Sequence, residues 1–138
     1  MDEIVNVVEH NQDLEKLALQ HNRFGEGDLT QLADVISTHK SLKYLDISAN
    51  RVCNNNFIWL FKAIKSDTAK ISTFHCRKNR IGGVQIEPVL RCQSLTLSVL
   101  DLSQNILTEA NSTILLDYAK KNVVIEQIHL DKNMAVNA

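Results

Sequence analysis

The sequence has little cysteine, proline or glycine: its 138 residues include three cysteines, one proline and four glycines. The cysteines, Cys53, Cys76 and Cys92, are odd in number and form no C-x-x-C motif, which argues against a closed disulfide framework or a zinc knuckle. With 44% hydrophobic and 22% charged residues, the composition is that of an ordinary globular domain. Disordered, collagenous and disulfide-rich classes are therefore excluded, and we predict a single domain over residues 1–138 in a reducing compartment.

The sequence also lacks an excess of charge and a long apolar run. Its formal net charge is -1, so it has no bulk positive field to attract nucleic acid or an anionic membrane. Charged or amide residues interrupt every apolar run well before the roughly 18 residues of a membrane span. The first ten residues contain acids where a signal peptide requires basic residues. We predict a soluble, cytoplasmic protein that neither binds nucleic acid nor inserts into membranes.

Motifs of enzyme active sites are missing as well. The sequence contains no H-E-x-x-H, no nucleophile motif and no G-x-x-x-x-G-K-[ST]. Gly82 and Gly83 resemble a phosphate-binding loop only superficially, and a tight turn is the better interpretation. We therefore predict that the protein is not an enzyme and requires no metal or cofactor.

A nine-residue pattern with the form L-x-x-L-x-L-x-x-N occurs five times, at intervals of 28, 29, 26 and 28 residues. A fixed period of this length is typical of stacked repeat architectures. The copies begin at Leu14, Leu42, Ile71, Leu97 and Ile125. They end at Asn22, Asn50, Asn79, Asn105 and Asn133.

An apolar periodicity of helical type lies between the copies. The residue seven positions before each copy is apolar, and the residue three positions earlier is apolar in four of the five units, as expected for one face of a helix. We call each set of equivalent positions a helical column. The column seven positions before the copies contains Val7, Val35, Ile64, Leu90 and Tyr118, and the column three positions earlier contains Ile4, Leu32, Phe61 and Leu115.

The helical segment between the third and fourth copies departs from this pattern. Glu87 occupies the apolar position, Ile86 stands one residue away, and Pro88 suits the first turn of a shortened helix. For the other internal helices we predict as N-caps Asp28, either Asn55 or Asn56, and Thr108.

The pattern and its period resemble the leucine-rich-repeat superfamily, specifically the ribonuclease-inhibitor-like class, over residues 4 to 135. This resemblance implies an α/β right-handed solenoid, a horseshoe segment with about five parallel strands on the concave face and helices on the convex face. Repeat units would begin near 14, 42, 71, 97 and 125, with 1–13 as the helix of a preceding or capping unit. The recurring asparagines would form a structural ladder that satisfies backbone groups in the turns.

Alternation along each strand predicts which side chains leave the core for the concave face. The middle column reads Ala18, Asp46, His75, Asp101 and His129. The flanking columns read Lys16, Tyr44, Thr73, Val99 and Gln127 on one side, and Gln20, Ser48, Arg77, Ser103 and Asp131 on the other. Each histidine is expected beside an aspartate that favours its protonated form. Two interpretations remain open, a pH-sensitive or metal-binding stripe and, preferred here, a row of solvated ion pairs.

We predict that this face binds a protein partner, with Tyr44 and Arg77 as the residue types enriched among binding anchors. The predicted contact residues are Tyr44, Asp46, Thr73, His75, Arg77, Val99, Asp101, Gln127 and His129. A basic rim follows the ladder and comprises Arg23, Arg51, Lys78 and Arg80. This rim could receive an acidic partner or a phosphate, although a solvated edge is the simpler interpretation.

Trp59 lies on a helix that is apolar around more of its circumference than one buried stripe requires. It could pack sideways on a neighbouring helix or mark a contact surface on the convex side, and packing is the preferred interpretation.

The resemblance implies a function in non-catalytic protein–protein recognition, as a scaffold or interaction module. Similar patterns occur in ribonuclease inhibitor, the recognition regions of intracellular immune sensors, actin-filament regulators such as tropomodulin, and the Ran GTPase activator. The alternative function is therefore that of a GTPase-activating or actin-regulatory protein, and stimulated GTP hydrolysis would support the former. No terminal capping unit is recognisable, so we expect part of a larger protein or complex, with further repeats or a partner chain covering the last strand.

Overall fold

A computed structural model describes residues 1–66, 68–91, 96–121 and 124–133, so Cys92 lies outside the described residues. Strands and helices alternate along the chain. The helices are α1 (Asp2–His10), α2 (Glu26–Thr38), α3 (Asn54–Ile64), α4 (Glu87–Arg91) and α5 (Glu109–Lys121), and a 3₁₀ turn (Val84–Ile86) precedes α4. The strands are β1 (Lys16–Ala18), β2 (Tyr44–Asp46), β3 (Thr73–His75), β4 (Val99–Asp101) and β5 (Gln127–His129). None of the described helices is both long and apolar enough to cross a bilayer.

The five strands form one parallel sheet in sequence order, β1-β2-β3-β4-β5. Their central residues align across the sheet, and the middle three, Leu45, Phe74 and Leu100, have no exposed surface. Each repeat therefore contributes one strand and, on the return path, one helix. This arrangement confirms the predicted class, a leucine-rich-repeat solenoid with an open parallel sheet.

The core lies between the sheet and the helices and contains both predicted apolar columns in the interior units. Phe61 stacks on Phe57 with ring centroids 4.9 Å apart and approaches Phe74 of the sheet at 6.5 Å. The buried helical positions are Leu32, Val35, Phe61, Ile64, Leu90, Leu115 and Tyr118. Burial of such side chains contributes about 1.5–3 kcal/mol each to folding.

The prediction for α1 was wrong by one residue. Val7 is 58% exposed, whereas Val8 is fully buried and Ile4 packs at the margin of the core. Residues three and four positions after Ile4 are both its neighbours on a helix surface, so spacing alone could not distinguish Val7 from Val8.

Two of the predicted helix starts were also wrong. Asp28 is the third residue of α2, and its carboxylate accepts the N–H of Gly25 at 3.0 Å. In α3 the N-cap is Cys53, so neither Asn55 nor Asn56 caps the helix.

Thr108 was correctly predicted as an N-cap: its hydroxyl accepts the N–H of Asn111 at 3.1 Å. Asn56 instead uses its amide to reach the previous unit, donating to the carbonyl of Glu26 at 3.1 Å. Polar residues in the first turn bind groups outside their own helix as readily as its free N–H groups, which is why residue type alone misplaced the caps.

The asparagine ladder is present. The Asn79 side-chain oxygen accepts the N–H groups of Asn50 at 3.0 Å and Val52 at 2.9 Å, while its amide donates to the carbonyls of Ile47 at 3.3 Å and Cys76 at 3.2 Å. One side chain thus fastens the turn of its own unit to the turn of the unit before. Equivalent bonds to the preceding unit are made by Asn50, Asn105 and Asn133.

The short unit between β3 and β4 depends on a glycine turn, as predicted. The N–H groups of Gly82 and Gly83 donate to the side-chain oxygens of Asn54 at 2.9 Å and Asn111 at 2.8 Å. Gly82 has φ of 155°, and a Cβ there would collide with the carbonyl of Ile106. Only glycine fits this close approach of two backbones.

Candidate functional site

The concave face presents the predicted columns as true rows. The strand register places Asp46, His75, Asp101 and His129 side by side across β2 to β5, and aligns Tyr44 with its counterparts in the flanking row. Because successive residues of a strand point to opposite faces, these side chains project away from the buried central residues.

A continuous series of side-chain contacts crosses four strands of this face. The ammonium of Lys16 lies 4.5 Å from the centre of the Tyr44 ring, and the Tyr44 and His75 ring centroids are 5.4 Å apart. The Nδ1 atom of His75 lies 3.5 Å from a carboxylate oxygen of Asp101. We call these four residues the concave stripe. Their mutual contacts bring an aromatic ring and an imidazole together at the middle of the sheet.

Asp101 is the most constrained member of the stripe. Its side chain is 10% exposed, and one carboxylate oxygen accepts the Ser103 hydroxyl at 2.6 Å and the Ser103 N–H at 3.0 Å. Burial raises the pKa of Asp101, but the hydrogen bonds from His75 and Ser103 outweigh it and lower the pKa to about 2. Asp101 therefore stays ionised and holds His75, rather than presenting its own carboxylate to solvent.

Tyr44 of the concave stripe and the polar residues beside the stripe make hydrogen bonds and charge contacts of their own. Burial, and secondarily the charge of Asp46, raise the pKa of Tyr44, so its hydroxyl remains a neutral donor. Asp46 accepts the N–H of Ser48 at 2.9 Å, and the Ser48 hydroxyl accepts the N–H of Arg77 at 3.1 Å. Ser48 and Ser103 were predicted to be exposed but are buried, because each binds backbone or carboxylate groups of the sheet.

Only one of the two expected histidine–aspartate pairs is in contact. His129 lies 3.2 Å from the Gln127 side-chain oxygen, both residues are exposed, and the Asp101 carboxylate already binds His75 and Ser103. Thr73 and Val99 are half-buried in the flanking row. The described residues contain no group of three or more potential ligands that could hold a metal ion.

The basic rim lies just beyond the sheet, where the chain leaves the strands. Arg23, Arg51, Lys78 and Arg80 are all exposed. Within the described ranges, none of these side chains forms an ion pair. The rim and the concave stripe together form a surface with cations at one margin and mixed aromatic and polar groups in the middle.

Trp59 is about half exposed on α3 and borders α2 across a groove, so features of both interpretations are present. Its side chain is 53% exposed on the convex side, because Phe57, Leu60 and Phe61 already fill the inward face of α3. Trp59 borders a shallow groove of about 220 Å³ between α2 and α3. The groove is lined by Ala33, Asp34, Ser37, Trp59, Lys62 and Ala63.

His39 is a polar residue that lies in the interior of the repeat rather than on its surface. It is buried, its Nε2 bonds the carbonyl of Asn11 at 2.9 Å, and its Nδ1 accepts the N–H of Leu42 at 2.9 Å. His39 therefore joins the first helix to the turn before β2. Sequence reasoning missed the corresponding linking role of Asn54, Asn56 and Asn111, although Asn56 and Asn111 both stand six positions after a repeat asparagine.

No family model matches this sequence, and no curated protein matches it. Several solved structures share its fold. Leiomodin-1 actin-binding site 2 superimposes with a TM-score of 0.81 at 15% identity, covering 94% of this chain and 78% of that one. The tropomodulin C-terminal domain of Caenorhabditis elegans gives a TM-score of 0.77 at 12% identity, covering 94% of this chain and 81% of that one. These similarities support the leucine-rich-repeat fold, while the ribonuclease-inhibitor-like class stays a prediction.

Proposed function

We propose that this chain is a non-catalytic recognition module that binds a partner protein across the concave stripe and the basic rim. The observation that supports this most directly is the contact series from Lys16 through Tyr44 and His75 to Asp101. A side chain that is held in place before binding loses less conformational freedom when a partner arrives. The stripe thus offers a partly ordered surface where the repeat pattern itself requires no particular side chain.

Tyr44 and Arg77 are the expected anchors of the interface. Tyr44 is half-buried against its neighbours, and Arg77 is exposed two residues after β3. Tyrosine and arginine are over-represented among residues whose truncation weakens interfaces most. His75 lies in the middle row, between the flanking rows that contain Tyr44 and Arg77. A partner that covers His75 would also remove the His75–Asp101 pair from water.

Actin is the first partner to test. The favouring observation is the similarity of the fold, over 94% of this chain, to the actin-binding site 2 of leiomodin-1. Because sequence identity to that structure is 15%, the similarity supplies a candidate partner and no assignment of contact residues. Actin-regulatory activity is therefore the more specific form of the proposed binding function.

The test measures binding of purified actin to three immobilised proteins: the wild type, the double variant Tyr44→Ala with Arg77→Ala, and Trp59→Ala with Lys62→Ala. The last is a matched control, since Lys62 lies 5.8 Å from the Trp59 ring on the convex side. We expect the concave variant to bind about tenfold more weakly, or worse, and the convex variant to bind like the wild type. Should the wild type not bind actin, the same three proteins are used to capture partners from native lysate. Equal retention of every captured protein by all three would exclude the concave surface.

A further inference from the structure

The turns beside the basic rim adopt an unusual backbone conformation. Among the described residues, seven that are not glycine have positive φ, between 54° and 62°, and all of them lie next to a ladder asparagine. These residues are His21, Arg23, Ala49, Arg51, Lys78, Gln104 and Lys132. Ala49 and Gln104 show that the turn itself, rather than charge, imposes this left-handed conformation.

Glycine and asparagine are the residues that adopt such a conformation with least strain. The chain nevertheless places Lys or Arg at four of the seven positions, including Arg23, Arg51 and Lys78 of the rim. The backbone gains nothing from a long basic side chain there. The choice of residue at these corners is better explained by what the side chain contacts than by what the turn requires.

The rim also has the geometry of a linear site. Neighbouring strands of a sheet lie about 4.8 Å apart, so Arg23, Arg51 and Arg80, on three successive units, span roughly 10 Å. About three or four residues of extended chain cover that length. The rim side chains are exposed and form no ion pair within the described part of the chain, so their charges remain open to an incoming anion.

The charges around the rim favour one kind of anion. Asp46 and the largely buried, ionised Asp101 lie in the middle row of the adjacent concave face, and Asp131 is exposed in the flanking row of the last unit. A long polyanion such as a nucleic acid would meet these carboxylates, whereas a short acidic cluster could contact the rim alone. The net charge of -1 offers no wider field to hold a polyanion.

We infer that the basic rim is the docking site for a short carboxylate-rich segment of the partner protein, bound by Arg23, Arg51 and Arg80 with Lys78 beside them. This inference rests on the proposed function and specifies the chemistry of the partner. Arginine suits the role because its planar guanidinium donates two parallel hydrogen bonds to one carboxylate.

The probe is a short fluorescent oligoglutamate peptide, whose binding is followed by anisotropy. Its affinity for the wild type is compared with that for two triple variants, Arg23→Gln, Arg51→Gln and Arg80→Gln on the rim, and Lys40→Gln, Lys70→Gln and Lys120→Gln elsewhere. Both remove three exposed positive charges. We expect the rim variant to bind about tenfold more weakly and the control to change by less than about twofold.

Three outcomes overturn the inference: no binding to the wild type, equal weakening in both triple variants, or equal affinity for an oligonucleotide of the same charge. A second variant, Arg23→Gly with Arg51→Gly, distinguishes binding from folding. It is expected to lose peptide affinity while its melting temperature is kept or raised, because glycine relieves the left-handed strain. Tyr44→Ala should retain peptide binding, so failure at the rim and failure of the concave stripe are recognised separately.

Discussion

The interior units and the first and last units follow the same sequence pattern but differ in burial. The central strand residues Leu45, Phe74 and Leu100 are fully buried, whereas their counterparts Leu17 and Ile128 are only partly buried. In a stacked repeat, each unit is covered by its neighbours on both sides. The pattern therefore determines which face a residue occupies, and the adjoining units determine how much that position contributes to stability.

Hydrogen bonding distinguishes the interior units from the first unit, though not from the last, where Asn133 still bonds to the preceding unit. The Asn79 side-chain oxygen accepts two backbone N–H groups of the preceding unit, and its amide reaches carbonyls of both units. The Asn22 amide binds only the carbonyls of its own turn, Leu19 and Gln20, and Asn22 is exposed. Asn79 thus joins two units, whereas the Asn22 side chain binds only within its own turn.

The largest effect is expected from placing a charge in the helical column. Val35 is 5% exposed and Val7 is 58% exposed, although the repeat makes them equivalent. Val35→Asp buries an unpaired carboxylate and should cost more than about 4 kcal/mol, enough to unfold the module. Val7→Asp is the matched control and should change the free energy of unfolding by less than about 0.5 kcal/mol. Chemical denaturation measures both, and similar losses in the two variants would contradict the contrast.

The second-largest effect is expected from replacing an asparagine of the ladder. Asn79→Leu leaves the N–H groups of Asn50 and Val52 without their acceptor, at about 1–3 kcal/mol for each buried group. Asn22→Leu removes bonds within one exposed turn and should cost less than about 1 kcal/mol. The same denaturation experiment checks both variants. A loss in Asn22→Leu as large as that in Asn79→Leu would show that the ladder does not work between units.

Most of the fold was predictable because it depends on the spacing of aliphatic residues and asparagines, which can be read directly from the sequence. The aliphatic and asparagine columns predict the stacking, and the structure places Asn50 and Asn79 one above the other, joined by a 3.0 Å bond. Details that depend on a choice between adjacent residues were not predictable. Val7 and Val8 are both compatible with the helical period, and only the packing of α1 against α2 selects Val8.

The candidate surface was predictable as a set of rows but not as a set of interactions. Strand alternation correctly aligned His75 with Asp101, yet it could not show that Ser103 also occupies the Asp101 carboxylate or that His129 turns to Gln127. Those preferences depend on side-chain torsion angles and on competition for one acceptor. The left-handed corners at the rim were likewise hidden, since no glycine marks them in the sequence.

A smaller loss of stability is expected when acid protonates the carboxylate of Asp101. The pKa of Asp101 is lowered from 3.8 to about 2 in the folded protein. A lowered pKa means that the ionised form stabilises the fold above about pH 4, and that this contribution is lost as pH falls from about 4 to about 2. The loss should be about 1–2 kcal/mol.

Asp101→Asn should remove this part of the pH dependence, while Asp131→Asn, at an exposed position of the last unit, should retain it. Free energies of unfolding measured between about pH 5 and pH 2 distinguish the two variants. If Asp101→Asn shows the same acid-induced loss as the wild type, the His75 and Ser103 hydrogen bonds are not responsible for it.

The smallest effect concerns the outer end of the concave stripe. Lys16 belongs to the first strand and lies 4.5 Å from the Tyr44 ring, so a double-mutant cycle with Lys16→Gln and Tyr44→Leu should give a coupling energy near 0.5 kcal/mol, as for an exposed cation–π contact. The cycle with His75→Gln and Asp101→Asn should give more, about 1–2 kcal/mol, because the carboxylate is largely buried. A larger coupling for Lys16 than for Asp101 would reverse the ranking of first and interior units. In that case the side chains, rather than the stacking of neighbours, would determine where the solenoid is rigid.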